Sequence, residues 1–237
     1  LTTVGTSGAA TLNAGVLNIP TPSSSPFTFN ASSTTGIESS SNTASGGRSI
    51  AMGVNSTASG VYSTAMGSLT TASGSRSTAM GNSTTASGNY STSMGDATTA
   101  SGTDSTAMGD NTTASGISST AMGVSTEAIG YASTAIGQYN VLNSGNTATS
   151  FNLTNTAFSI GNGTSAGARS DAFSVLFNGN TTVAGSITSA SLNIAALNAA
   201  PASASATGTI GEIKFTADHI YVCVETNTWK RVAIATF

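Results

Sequence analysis

The chain has 237 residues, of which 40 are Ser, 40 are Thr and 27 are Gly, and its six basic and nine acidic residues give a net charge of −3. So few Lys and Arg argue against a nucleic-acid-binding protein, and the lack of an apolar run of roughly 18 residues argues against a membrane-spanning helix. The chain has one Cys (Cys223) and one His (His219). A single Cys excludes an intrachain disulfide and an intrachain thiolate zinc cluster, and a single His excludes an intrachain catalytic or metal site that needs two His. We therefore expect a protein that is not an enzyme, needs no metal or cofactor, binds no nucleic acid and does not insert into a membrane.

Residues 1–43 hold three of the four prolines (Pro20, Pro22 and Pro26) together with runs of Ser and Thr. This composition predicts an N-terminal connector followed, over residues 20–43, by an extended linker. Residues 5–11 and 17–20 are similar to a connector of phage tail-fibre proteins. That similarity implies other fibre or tail proteins as partners on the N-terminal side.

Residues 44–140 form an internal repeat. Fourteen glycines follow one another at intervals of seven residues, from Gly46 to Gly137. Units such as STAMG (77–81) and TTASG (84–88) alternate, so the true period is 14 residues. A period this short, rich in Thr and Gly, predicts a coil of two strands of about five residues, with Gly giving each corner its backbone freedom.

The two sides of a strand in this coil differ in size and polarity. Alternation along the strand places Ala79 on one side and Thr78 and Met80 on the other. The inside of so flat a coil has room only for small side chains, so we expect Ala inside and Met outside. An outward apolar stripe marks an interface between copies around a fibre axis, although a monomer with Met inside the coil is an alternative. The stripe is predicted to comprise Met52, Met66, Met80, Met94, Met108, Met122, Ile129 and Ile136.

These units resemble the head repeats of trimeric autotransporter adhesins, the YadA-like repeats. STAIG (133–137) is the most similar unit, and the other copies carry Met at the apolar position. The resemblance covers residues 44–140. It implies an all-β fold in which a left-handed parallel β-roll of 14-residue coils assembles as a homotrimer, with the Met stripe along the trimer axis.

Two further segments follow the repeat. Residues 141–200 regain Phe and carry an Asn178-Gly179 turn, which predicts a β-rich stalk or neck. Parts of it, at 160–164, 169–170 and 177–180, resemble a segment that follows such heads in fibres. Residues 201–237 predict a β-meander with strands at 210–215, 219–224 and 229–234, and this C-terminal tip module is similar to small terminal modules of phage and virus fibres.

Several exposed aromatic and basic residues are candidates for receptor contact, because such side chains suit glycan or protein surfaces. On the tip, Tyr221 and Trp229 have the alternative role of forming the core of the meander, and Cys223 is expected to be a buried small hydrophobe. The candidates are His219, Tyr221, Trp229, Lys230 and Arg231 on the tip, and Tyr62, Arg76 and Tyr90 at corners of the roll.

These features favour a non-enzymatic trimeric segment of a phage tail fibre, carried on the virion, that attaches to a glycan or protein of a bacterial surface. A fragment of an adhesin on the bacterial cell surface is the nearest alternative. The Thr ladders suggest an ice-binding solenoid, but adjacent Thr residues point to opposite faces. A glycan-degrading fibre lacks support, because Asp96, Asp104, Asp110 and Glu127 include no close pair in a substrate groove.

Overall fold

The computed structural model describes residues 41–191 and 196–236, and the backbone of four short strands at 11–13, 16–18, 27–29 and 37–39. All regular structure in these residues is β, and they contain no helix that could cross a membrane. The chain divides into two compact units, Leu1–Ser186 and Ile187–Phe237. Most of the predicted connector and linker, residues 1–43, lies outside the described residues.

The strands before and within the roll are short and regularly spaced. Four precede it: β1 (Thr11–Asn13), β2 (Val16–Asn18), β3 (Phe27–Phe29) and β4 (Ile37–Ser39). The roll comprises β5 (Thr43–Ala44), β6 (Ile50–Val54), β7 (Thr57–Ala58), β8 (Thr64–Ser68), β9 (Thr71–Ala72), β10 (Thr78–Asn82), β11 (Thr85–Ala86), β12 (Thr92–Asp96), β13 (Thr99–Ala100), β14 (Thr106–Asp110), β15 (Thr113–Ala114), β16 (Thr120–Val124), β17 (Glu127–Ala128) and β18 (Thr134–Gln138).

The roll is a parallel β-solenoid with two sheets. The five-residue strands stack in one sheet and the two-residue strands in the other, each pairing in parallel with the strand 14 residues away. The predicted all-β fold and 14-residue coil are thus confirmed. Seven coils at a strand spacing of about 4.8 Å give a roll on the order of 30 Å long.

One of the two strands in each coil is shorter than the predicted five residues. In the coil that contains Ala86, the amides of Ser87 and Gly88 both donate to the carbonyl oxygen of Ala100, at 2.9 and 3.2 Å. Two donors on one acceptor break the regular ladder, so the backbone bends into the corner directly after Ala86. The second strand therefore keeps only two residues.

The inside of the coil holds small side chains, as predicted. Ala58, Ala65, Ala72, Ala79 and Ala86 are all fully buried. The sequence analysis did not predict that rows of Ser and Thr share this interior. Ser91 Oγ donates to the carbonyl oxygen of Gly88 at 2.7 Å, and Thr70 Oγ1 donates to Ser56 Oγ at 2.8 Å. Since no large apolar side chain fits inside, backbone hydrogen bonds between coils hold the roll together more than a core of large side chains does.

The repeated glycines are needed for the close approach of neighbouring coils. A Cβ atom at Gly88 would lie 2.0 Å from the carbonyl oxygen of Gly102 in the next coil. Gly81 meets Gly95 in the same way and also has a φ of +123°. Gly88 has no positive φ, so the expectation that every Gly serves to free a corner was wrong. At the corner after Gly88, the left-handed residue is Tyr90, with φ of 58°.

The C-terminal end of the roll is closed by side chains that imitate another coil. The Asn140 amide accepts a hydrogen bond from the Glu127 amide at 2.8 Å and donates to the Glu127 carbonyl oxygen at 3.0 Å. Arg169 forms an ion pair with the Glu127 carboxylate and donates to the carbonyl oxygens of Ser125 and Asn140, both at 3.2 Å. These contacts cover the edge strand β17, which would otherwise present unpaired backbone groups.

Three strands extend the larger sheet past the roll: β19 (Thr156–Asn162), β20 (Asp171–Leu176) and β21 (Thr181–Val183). β19 pairs in parallel with β18, and β20 and β21 follow in antiparallel order. The predicted Asn178-Gly179 turn joins β20 to β21. Gly179 takes a φ of +87° there, and its amide donates to the Leu176 carbonyl oxygen at 2.9 Å.

The second unit contains the predicted meander of three antiparallel strands, β22 (Ile213–Phe215), β23 (His219–Glu225) and β24 (Thr228–Ala233). Trp229, on β24, packs flat on the chain before the sheet. A Cβ atom at Gly208 would lie 2.4 Å from the indole ring, so only Gly allows this contact. The indole Nε1 donates to the carbonyl oxygen of Ala206 at 3.0 Å.

We predict that Gly88→Ala lowers the free energy of unfolding by at least about 2 kcal/mol, because the new methyl group forces two coils apart. The matched control is Gly167→Ala, where a Cβ meets no atom within 4 Å and φ is ordinary. Urea unfolding followed by circular dichroism measures both variants. Equal losses in the two would contradict the close-approach argument.

We predict the opposite sign for Ala97→Gly. Ala97 is exposed and has a φ of 51°, a conformation that costs an L-residue about 1 kcal/mol and Gly almost nothing. This variant should raise the unfolding free energy, whereas Ala172→Gly, in the extended strand β20, should lower it by about 0.5–1 kcal/mol. The same urea titration tests the pair, and a loss at Ala97 would refute the assignment of strain.

Candidate functional site

The Met stripe forms one continuous row on the outer face of the larger sheet. The parallel register places each Met beside the next, and the row runs Met52, Met66, Met80, Met94, Met108, Met122, Ile136 and Ile160. Ile129 does not belong to it, which corrects the prediction. Ile129 follows the short strand β17, so it lies in the position that Ser115 takes one coil earlier.

Ile160 was missed because residues 139–155 interrupt the spacing of 14 before the row resumes on β19. A second row, parallel to the Met row, lies on the same face. It runs Ile50, Thr64, Thr78, Thr92, Thr106, Thr120, Thr134 and Phe158. We call the two rows together the Met–Thr face.

The Met–Thr face is partly exposed in the single chain. Met66 has 36% of its surface exposed and the other Met residues are half-buried, whereas the Ala residues between them are fully buried. The face therefore points away from the coil interior, as the argument from small interior space predicted. A partly exposed apolar row that crosses eight strands is a surface suited to another protein chain.

The predicted corner residues Tyr62, Arg76 and Tyr90 come together in one column. Arg48 joins them, and the four occupy the same corner position in successive coils, with φ between 57° and 61°. We call this set the Arg–Tyr column. Sequence analysis missed Arg48, although its distance of 14 residues from Tyr62 is the signal that identifies it.

Cations and rings alternate within the Arg–Tyr column. The Arg48 and Arg76 guanidinium carbons lie 5.4 and 5.3 Å from the centre of the Tyr62 ring, and Arg76 also lies 5.3 Å from the Tyr90 ring centre. Arg76 Nη1 donates to the Tyr90 hydroxyl at 3.1 Å, and Arg48 donates to the Tyr62 hydroxyl. Tyr62 and Tyr90 are 43% and 53% exposed, so the column is a surface feature.

The acidic residues of the roll are closer together than expected. Asp96 and Asp110 are register partners on neighbouring strands, and Asn82 Nδ2 donates to Asp96 Oδ1 at 2.6 Å. Both carboxylates are exposed. Because residues 14 apart in the chain are neighbours in the solenoid, these two acids form a close pair. The prediction concerned a close pair in a substrate groove, and both carboxylates here are exposed.

On the tip, four of the five predicted contact residues line one cleft. Tyr221, Trp229, Lys230 and Arg231 surround a volume of about 400 Å³ together with residues 201–204. His219 is not part of this lining; its ring lies beside that of Tyr221, with ring centres 5.7 Å apart and the planes tilted by 44°. We call this the tip cleft.

Trp229 also has the structural role that the sequence left open. Only 5% of its surface is exposed, and the Lys214 ammonium lies 5.0 Å from its ring centre. Cys223 opposite it is fully buried, as expected. Lys230 and Arg231 are exposed and form the charged part of the cleft, whereas the nearly buried Trp229 forms its floor.

Two further observations describe the ionisable groups. Burial raises the pKa of Asp171 above its usual value, and a hydrogen bond from the Val141 amide, at 2.9 Å, partly offsets this effect. In the part of the chain that the structure describes, no three His, Cys, Asp or Glu side chains are grouped closely enough to hold a metal ion.

Comparison with known proteins gives one partial relative. A stretch of 37 residues is 54% identical to Depolymerase 1, capsule K30/K69-specific, of Klebsiella phage K5-2, and it covers 16% of this chain and 5% of that protein. That relative is by name an enzyme, which leans against the expectation of a non-enzymatic chain, although the match spans a small part of its length.

The other match is to a structural repeat. The family model of the YadA head domain repeat, which describes two copies of the repeat, matches five ranges of this chain. They are residues 44–70, 72–98, 86–112, 100–126 and 114–140. These matches follow the 14-residue coils from β5 to β18. Residues 44–140 of this chain are therefore a stack of YadA head domain repeats.

Proposed function

We propose that the chain is a segment of a homotrimeric phage tail fibre that attaches the virion to a bacterial surface. The proposal rests mainly on the Met row of the Met–Thr face, an apolar row that runs over the seven long strands of the YadA head repeat stack and on to β19. The same repeat and the same apolar face would also fit a trimeric adhesin on a bacterial cell surface. The partial match to a phage protein favours the tail fibre.

Assembly of several copies around an axis follows from the chemistry of this face. Three copies around one axis bring three Met rows together and remove them from water, while the Ser-bearing outer surface of the smaller sheet stays solvated. Burying a fully exposed Met side chain stabilises by about 1.5–3 kcal/mol; the six Met residues of each chain are already partly buried, so each adds a part of that amount to the association of the chains. The three-fold symmetry and the left-handed sense of the roll are the parts of this proposal that rest on the resemblance to adhesin heads.

Attachment is assigned to the tip cleft. Its aromatic floor suits the apolar face of a sugar ring, and Lys230 and Arg231 suit acidic substituents. The relative's name refers to a bacterial capsule, which makes a surface polysaccharide the first ligand to test. A trimer presents three clefts together, so that weak single contacts add as avidity.

The mass in solution tests the trimer. Light scattering behind a sizing column should give three times the chain mass of 23.1 kDa, unchanged on dilution. Met80→Lys with Met94→Lys should reduce it to the monomer mass, because six charges cannot be desolvated at one axis.

The control for the trimer is Ser73→Lys with Ser87→Lys, at exposed positions of the opposite sheet, which should leave the mass at three chains. A wild-type monomer, or a trimer that survives both Met substitutions, would refute the assembly.

Binding to purified K30 and K69 capsular polysaccharides tests the tip cleft. The wild-type chain should bind one of them, and Lys230→Gln with Arg231→Gln should weaken binding by about tenfold or more, since both charged donors are lost. The control Asp218→Asn with Glu225→Gln removes two charges from the same unit and should not weaken binding.

Depolymerisation is the second candidate function, because the partial relative is an enzyme by name. The same polysaccharides are incubated with the chain and assayed for new reducing ends. We expect none, because the paired carboxylates Asp96 and Asp110 are exposed on the roll and not set in a groove. Release of reducing ends would replace attachment by hydrolysis as the function.

A further inference from the structure

We propose that the Arg–Tyr column is a second binding site, for a linear polysaccharide that carries carboxylate groups. The column lies on the roll at residues 48–90, whereas the tip cleft lies at 201–231, so the two sites share no residue. The inference does not depend on the tip cleft, and it adds a binding site on the first unit to the one proposed on the second.

The roll separates its charges along its length. Its two basic residues, Arg48 and Arg76, lie in the first half of residues 44–140, whereas its four acidic residues lie between Asp96 and Glu127. An approaching anion is therefore attracted to the first half and repelled from the second. The Arg–Tyr column occupies the attractive half.

Arg76 is available for a ligand. Its guanidinium stands between the Tyr62 and Tyr90 rings at 5.3 Å from each centre, and it forms no ion pair with any carboxylate of the described residues. Only Nη1 is engaged, by the Tyr90 hydroxyl at 3.1 Å. A guanidinium has five N–H donors, so the others remain for a carboxylate, which it binds through two parallel hydrogen bonds.

The column is also rigid. The backbone of each member is fixed in the same left-handed corner, and the stacked rings restrict the rotamers of the Arg76 side chain. A restricted side chain loses less entropy when it binds, which raises affinity without any new contact. Stacking alone would serve stability, so the test must measure ligand binding.

The repeat of the column suits a polymer. The Tyr62 and Tyr90 rings are two coils apart, which corresponds to about 10 Å along the roll, and Arg76 lies between them. Both rings are exposed and offer apolar surfaces for sugar rings. A chain of sugars can contact both rings while one of its carboxylates binds Arg76, and an isolated carboxylate cannot.

The experiment measures binding of the full-length chain to polygalacturonate and to the same polymer with its carboxylates methyl-esterified. The wild type should bind the acid form saturably and the ester at least tenfold more weakly. Arg76→Asn should lower affinity for the acid form about tenfold, because the charged pair is lost. Asn tolerates the left-handed corner, so this variant keeps its fold.

Ser118→Asn is the matched control, at the same corner and with the same φ of 57° as Arg76. It should bind like the wild type. Tyr90→Asn, which removes one of the two rings beside Arg76, should bind less tightly than the wild type. It replaces Arg76→Asn as the test of the column if that variant does not fold.

The proposal is overturned if Arg76→Asn binds polygalacturonate like the wild type or if the ester binds as tightly as the acid. Loss of this binding in Lys230→Gln with Arg231→Gln alone would place the site in the tip cleft, which would refute the column and support the proposed function. Retention of polygalacturonate binding by that tip variant, with loss of capsule binding, is the result expected if both sites exist.

Discussion

The whole roll depends on how closely the backbones of successive coils approach at the repeated glycines. At Gly60, Gly74 and Gly88 a Cβ atom would fall within about 2.0 Å of the next coil's carbonyl oxygen. This closeness lets the backbone amides of one coil reach the carbonyl oxygens of the next, which keeps successive coils in register. One larger residue in the stack would displace its neighbours, so the register of all outward side chains rests on the glycines.

Because the coils stack in register, residues 14 apart become neighbours. A repeated residue type thereby becomes a column with its own chemistry: Met and Thr on one face, Arg and Tyr at one corner, Asn82, Asp96 and Asp110 at another. The interior is filled by Ala, Ser and Thr, which leaves all larger side chains on the outside. The surface of the roll therefore consists of columns of different chemistry, each running along the stack of coils.

The C-terminal edge of the roll and the tip module are stabilised by other interactions than the stack of coils. The C-terminal edge of the roll is covered by the Asn140 amide and by Arg169, which bind backbone groups that a further coil would otherwise pair. The tip has a core of its own, centred on Trp229 and Cys223, and needs no stacking of repeats. The regular roll and the small irregular module are thus stabilised in different ways, the roll by contacts between repeats and the module by a core of its own.

The sequence by itself determined the period of 14, the two kinds of unit, the buried Ala rows, the outward Met row and the three strands of the tip, because each depends on local alternation and spacing. Only the tertiary structure decided what depends on the stacking of coils. It separated Ile129 from the Met row and added Ile160, joined Arg48 to Tyr62, placed Asp96 beside Asp110 and gave Gly88 its role. These contacts join atoms 14 or more residues apart, and their geometry comes from the path of the backbone around the coil, which no local pattern contains.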